Sequence, residues 1–203
     1  MTVQITAGSL AVAIVFGLVM AVIKTSRLRI ARFLVNVYIE IFRDIPALTL
    51  LFILYFGLAY MGFMIEPVPA AIIGLGAIGG AILTEVFRSG FEALHHGQRE
   101  AALAVGMTPS KAYRYIIMPQ AVRIVLPPLL NMLIILLKDS SVCSLISTPE
   151  LMLRTKDLAS MSFLPMHAYL LAGLIYFLMA CPLSLMTQWV ERRLHRGMRS
   201  VTI

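Results

Sequence analysis

The chain has 203 residues, 60% of them hydrophobic and only 13% charged. Its mean hydropathy is +0.89. Long, nearly uncharged apolar runs exclude an ordinary soluble domain and indicate a single membrane domain over residues 1–203. The net charge of +7 does not point to nucleic acid, because the basic residues sit in short segments between apolar runs.

The first apolar run, 8–23, is short for a hydrocarbon core about 30 Å thick. The mildly apolar residues before it extend the predicted span to about 6–23. No basic segment precedes it, so a cleavable signal is not expected. The run ends at Lys24, Arg27 and Arg29. From Ile30 to Asp44 the apolar residues Ile30, Phe33, Leu34, Val37, Tyr38 and Ile41 fall at helical spacing, interleaved with Arg32, Asn36, Glu40 and Arg43. This is either an amphipathic helix lying at the interface or the wet start of a long second span. Asp44 can cap a helix restarting there, with Pro46 in its first turn.

The second predicted span is about 47–63, followed by a turn at Glu66, Pro67 and Pro69. The third is about 68–87. Its glycines, Gly76 and Gly80 among them, form a small-residue face that a neighbouring helix can approach closely. Then comes the longest polar segment, residues 97–120. A helical run over 98–105 is broken by Gly106, and Thr108 or Ser110 can cap a second run, ending at Pro119, with Pro109 in its first turn. A fourth span begins at Pro127–Pro128 and reaches about 146. A polar loop over 147–166 separates it from a fifth, about 167–189, which Pro182 should kink. The tail carries Arg192, Arg193, Arg196 and Arg199.

With five spans, Lys24, Arg27, Arg29, Arg32 and Arg43 share one side with Arg88, Arg99, Lys111, Arg114, Arg123 and the four tail arginines. That is fourteen of the seventeen basic residues. The asymmetry puts the N-terminus outside, the C-terminus in the cytoplasm, and the helix–turn–helix of 97–120 in the cytoplasm.

Few residues could carry chemistry. Lys138, Asp139 and Ser140 fall near mid-membrane if the fourth span starts at Pro127, where each charge costs about 3 kcal/mol unless it faces a cavity or a partner. Asn131, seven residues before Lys138, shares its helix face within about 20°. Asn131, Lys138, Asp139 and Ser140 are therefore candidates for the pathway wall or an interface between subunits; mutual neutralisation of Lys138 and Asp139 is the plainer alternative. Glu85 can meet a substrate ammonium or pair with Arg88 at i,i+3. Cys143 and Cys181 lie in apolar runs and read as buried thiols. His95 and His96, being adjacent, cannot share a metal from one helix face, and His167 and His195 are isolated, so no metal site is expected. The sequence holds no phosphate-binding G-x-x-x-x-G-K-[ST] loop and no Ser/His/Asp arrangement, so neither nucleotide hydrolysis nor other catalysis is expected of this chain.

Glu100-Ala101-Ala102, Gly106, Ile116 and Met118-Pro119 resemble the E-A-A-x3-G-x9-I-x-L-P loop of ABC-transporter permeases, with Met118 in place of Leu. Phe42-Arg43-Asp44-Ile45-Pro46, Tyr55-Phe56-Gly57, Thr84-Glu85-Val86-Phe87-Arg88, Pro119-Gln120-Ala121 and Lys138-Asp139-Ser140-Ser141 are similar to blocks of the polar-amino-acid (His/Glu/Gln-type) branch. Asp44 stands where that branch has Gly. The stretch before the first span is shorter than usual, which leaves open whether Met1 is the true start.

The resemblance implies an all-α, five-span permease of the type I importer (MetI-like) fold in the bacterial cytoplasmic membrane. It implies that 97–120 is the coupling element, with Glu100, Ala101, Ala102, Gly106, Ile116 and Pro119 engaging an ATPase subunit that binds ATP and Mg. It also implies a second permease subunit, identical or related, and an extracytoplasmic solute-binding protein. The expected activity is alternating-access import of a polar amino acid or related zwitterion. An ion-coupled secondary carrier is the alternative, but the internal repeats usual in such carriers are not seen.

Overall fold

The computed structural model describes residues 1–92 and 96–195, with the backbone alone at 96–99 and 195. His95, Arg196 and Arg199 lie outside the described residues. All elements among the described residues are helices. Helix α1, Thr2–Lys24, buries Ser9, Ala13, Gly17 and Ala21, one small residue every four positions. That stripe lies against the glycine face of α4, Pro67–Glu92. A Cβ at Gly76 would meet Val12 Cγ1 at 2.5 Å, and one at Gly17 would meet Leu83 Cβ at 2.9 Å. Lipid tails are as apolar as leucine, so backbone proximity and van der Waals contact hold such a pair together. Ile5, Leu75, Leu83, Phe87, Met132 and Leu136 complete the core around it.

Between these two spans the chain forms a bent pair of helices. Helix α2, Arg29–Asp44, and helix α3, Ala47–Tyr60, meet at a 108° bend. The break follows from Pro46, which disfavours the helical region at Ile45 and leaves it extended at φ −79°, ψ 129°. The Tyr38 hydroxyl donates to the Ala77 carbonyl at 2.7 Å, halfway along α4. Helix α2 therefore does not continue straight into a long span; the bend sets it off from α3. Asp44 does not cap α3, because Pro46 takes the N-cap position and no side chain bonds there. A π-helical turn at Ile53–Gly57 interrupts α3, which ends at Tyr60 rather than near 63.

Helix α5, His96–Ala104, and helix α6 follow. Helix α6 is helical over Pro109–Ile146, passing straight through the Pro127–Pro128 pair at which the sequence pattern starts the fourth span. Proline removes helical bonds without ending a helix when the surrounding bundle supports it. A π-helical turn occupies Tyr113–Ile117, just before Pro119, which has no N–H to give; Gln120 Nε2 donates to the Ile116 carbonyl at 3.0 Å. The last stretch, Ser140–Ile146, tightens to a 3₁₀ helix and stops at Ser147 with φ 59°.

The far end of α6 is tied to the starts of two other spans. Thr148 Oγ1 donates to the Pro67 carbonyl at 3.3 Å, and the Leu151 N–H donates to Thr2 Oγ1 at 3.0 Å. These residues mark the head of the bundle. Lys24, Glu92 and the α5–α6 turn mark its foot. The expected loop at 147–166 is largely helical: α7 covers Leu151–Ser162 because Glu150 caps it, accepting from the Leu153 N–H at 2.7 Å. Helix α8, Pro165–His195, packs on α6 and α7 with Pro182 in its interior. Only 11% of its most apolar window is buried. Among the described residues four helices are long and apolar enough to cross a membrane, and the bent pair counts as a fifth if it forms one span. Cys143 is buried, Cys181 partly so, and both are free thiols.

Candidate functional site

The polar segment forms the helix–turn–helix its sequence predicts. The α5 helix ends at Gly106, whose φ of +80° lies in the left-handed region that glycine enters without strain. The Gly106 N–H donates to Leu103 O and the Met107 N–H to Ala102 O, both at 3.0 Å, closing the end of the helix. Thr108 then starts α6 as N-cap, accepting weakly from the Lys111 N–H at 3.4 Å, with Pro109 behind it.

One of the residues expected to engage a partner is turned away from the surface. Glu100, Ala101 and Ala104 are exposed, whereas Ala102 is 3% exposed and turned inward. Ala112, on the first turn of α6, is likewise buried, and the two helices pack together there. Leu103 and Val105 are exposed apolar neighbours that sequence reasoning did not single out; Val105 is 78% exposed. Two apolar side chains in an otherwise polar segment were the available signal. Ile116 is half-buried and Pro119 exposed. The second helix does not stop at Pro119; it continues into the membrane span.

The candidates in the spans separate into groups. Asn131 and Lys138 are both exposed on one side of α6. Lys138 lines a crevice of about 510 Å³ between α6 and α8, with Tyr176, Cys181, Ser184 and Gln188. Asn131 lines a second one of about 390 Å³ nearer the foot, with Arg123, Pro127, Pro128 and Glu191. Asp139 is half-buried and Ser140 fully buried, its hydroxyl donating to the Leu137 carbonyl at 2.7 Å. Neither lines these two cavities, and among the described residues Lys138 and Asp139 form no ion pair. The depth is intermediate: a Cβ at Gly79 would meet Ala13 at 2.9 Å and Leu136 at 3.7 Å, and Ala13 lies halfway along α1.

Glu85 has both oxygens engaged. Arg88 Nε donates to Oε2 at 2.7 Å, and Lys24 Nζ donates to Oε1. Arg88 also pairs with Glu92. The i,i+3 partner was legible; Lys24, 61 positions away, was not. Glu150 was missed altogether. It is 2% exposed, and its second oxygen accepts from the Tyr176 hydroxyl at 2.8 Å. The Thr-Pro-Glu sequence ahead of an apolar run was its only local signal.

The family described as "Binding-protein-dependent transport system inner membrane component" matches residues 13–199. A probable amino-acid ABC transporter permease protein, YckA of Bacillus subtilis (strain 168), is 39% identical over 163 residues, 80% of this chain and 72% of that protein. A solved amino acid ABC transporter with histidines is 33% identical with a TM-score of 0.87, covering 95% of this chain and 90% of that one. The MetNI methionine ABC transporter in an inward-facing form, 21% identical with a TM-score of 0.67 over 93% of this chain and 92% of that one, shares the fold. These relations favour an importer permease over an ion-coupled carrier. The chain belongs to the family of inner membrane components of binding-protein-dependent transport systems, as a multi-pass permease subunit of an ABC importer.

Proposed function

We propose that this permease carries a polar amino acid or related small zwitterion across the cytoplasmic membrane by alternating access. The head of the bundle faces outward, to a solute-binding protein. The foot faces the cytoplasm, where the α5–α6 turn seats on an ATPase subunit that binds ATP and Mg. A second permease subunit, identical or related, covers the open side of α8 and completes the pathway, to which Asn131, Lys138 and Asp139 contribute. The names of the relatives support the substrate class. Fourteen of seventeen basic residues on one side support the orientation.

The observation that carries this reading is the continuity of the turn with a span. The helix that begins at the Thr108 cap runs unbroken from Pro109 to Ile146, from foot to head. A force applied at Glu100, Ala101 or Gly106 thus reaches the membrane interior along one continuous helix, the kind of connected element through which switching motions are passed on. The test is Glu100→Lys, assayed by copurification of the ATPase subunit and by uptake in proteoliposomes. Reduced copurification with parallel loss of uptake is expected; wild-type levels of both sink the coupling assignment.

A further inference from the structure

At the foot, α1, α2 and α4 enclose a cavity of about 390 Å³ lined by Lys24, Arg29, Arg32 and Arg88. Glu92 is its only carboxylate lining, and Asn36 adds an amide. Lys24 and Arg88 are engaged by Glu85 and Glu92. Arg29 and Arg32 have no carboxylate within 4.0 Å among the described residues, and both are exposed. Four cations beside two carboxylates leave a surplus of two positive charges. The first turn of α2 adds to it: the turn has no acidic residue and Leu28 supplies no capping side chain, so two arginines stand where the helix dipole favours an anion.

Exposed apolar side chains of α2 adjoin this basic cavity. Phe33 lines it, and Phe33, Ile30 and Leu34 are all more than 60% exposed on α2. A soluble anion would gain nothing from those side chains, whereas a molecule with a phosphate at one end and acyl chains at the other uses both parts. We infer that this cavity binds the phosphate of an anionic phospholipid, with Arg29 and Arg32 as ligands and Ile30, Phe33 and Leu34 against the acyl chains. The site needs only that the chain sits in a bilayer with its foot at headgroup level, where each basic residue near an anionic surface contributes about fivefold in affinity. Its lining residues are distinct from those of the coupling turn and the α6–α8 crevices, and the transport reading uses Arg29 and Arg32 only as two of the fourteen basic residues that orient the chain.

The test is native mass spectrometry of the full-length chain in detergent micelles, titrated separately with phosphatidylglycerol, phosphatidylcholine and inorganic phosphate. Retention of one phosphatidylglycerol per chain is expected, with little phosphatidylcholine and no phosphate adduct. Arg29→Gln with Arg32→Gln should lower retention by about tenfold or more. Arg192→Gln with Arg193→Gln, the same charge change at the foot of α8, should leave it unchanged. Equal retention of the two lipids overturns the inference, and that comparison needs no variant to fold. So does phosphate retained as well as phosphatidylglycerol, which would mark a plain anion site, or equal losses in the two double variants, which would mark general surface charge. None of these readouts depends on uptake or on an ATPase, so failure here leaves the transport reading untouched.

Discussion

Lys24, on the last turn of α1, donates to Oε1 of Glu85 on α4, joining two spans that are 61 positions apart in the chain. Arg88 takes the other oxygen, so a single carboxylate bridges one cation from each helix. Glu85→Gln leaves both cations with less compensation. We expect a loss of about 1–2 kcal/mol, between the values for exposed and buried pairs, because the two side chains are 20% and 31% exposed. Thermal unfolding in micelles measures it. A cycle with Lys24→Met separates the pair from the rest of the network, and strict additivity would show that the contact holds nothing.

The α1–α4 seam leaves no room for a methyl group. Gly76→Ala places a Cβ 2.5 Å from Val12 Cγ1 and should cost about 1–3 kcal/mol through forced displacement of the helices. Gly173→Ala is the contrast. Nothing lies within 4 Å of Gly173, on the open side of α8, so the variant should be neutral or up to about 1 kcal/mol more stable. Unfolding midpoints of the two variants, compared in the same detergent, check the difference.

Glu150 is held at the head by a backbone N–H and a tyrosine hydroxyl. Tyr176→Phe removes one donor and leaves a buried carboxylate oxygen unpaired, a loss of about 1–3 kcal/mol. Glu150→Gln keeps an acceptor for the Leu153 N–H and should be milder than Tyr176→Phe. Unfolding midpoints of the two variants check the order; a Tyr176→Phe midpoint at the wild-type value would show that the bond to Glu150 holds nothing.

At Gly106 the constraint is conformational, since no atom lies within 4 Å of an added Cβ. Gly106→Val should strain the turn by about 1–2 kcal/mol or move the backbone away from φ +80°. Gly106→Asn enters the left-handed region more readily and should retain most transport. Uptake in proteoliposomes should fall in the order glycine, asparagine, valine; equal uptake in all three would show that the turn geometry does not matter.

Features governed by neighbours in the chain were legible in the sequence. The Gly106 turn, the Thr108 cap and the close approach at Gly76 and Gly80 each follow from the chemistry of a few adjacent residues. Pro127–Pro128 signals a helix start locally, whereas the helix there continues from Pro109, because the bundle lets it pass through. The bend at Pro46 was legible as a restart but not as a 108° turn, which depends on where Tyr38 finds Ala77. Helix α7 and the Glu150 bond to Tyr176 depend on partners that only folding brings together, as does the Lys24 contact. Among the pathway candidates, helical spacing correctly put Asn131 and Lys138 on one side of α6. It did not reveal that Ser140 turns to the core where the helix tightens at 140.

Helix α6 is also a lever. From Pro109 to Ile146 it is about 55 Å long, and its midpoint falls at Pro127–Pro128. Those prolines have no N–H for the carbonyls four residues earlier, so the rod is weakest in bending at its centre, while its head is pinned to Thr2 and Pro67 through residues 148–151. A tilt of about 5° about that centre moves each end by roughly 2 Å, comparable to the shifts that reset packed helices. Under the proposed coupling the joint sets the gearing: bending at Pro127–Pro128 takes up part of a push from the foot, and stiffening that joint passes more of it on to the crevice at Lys138.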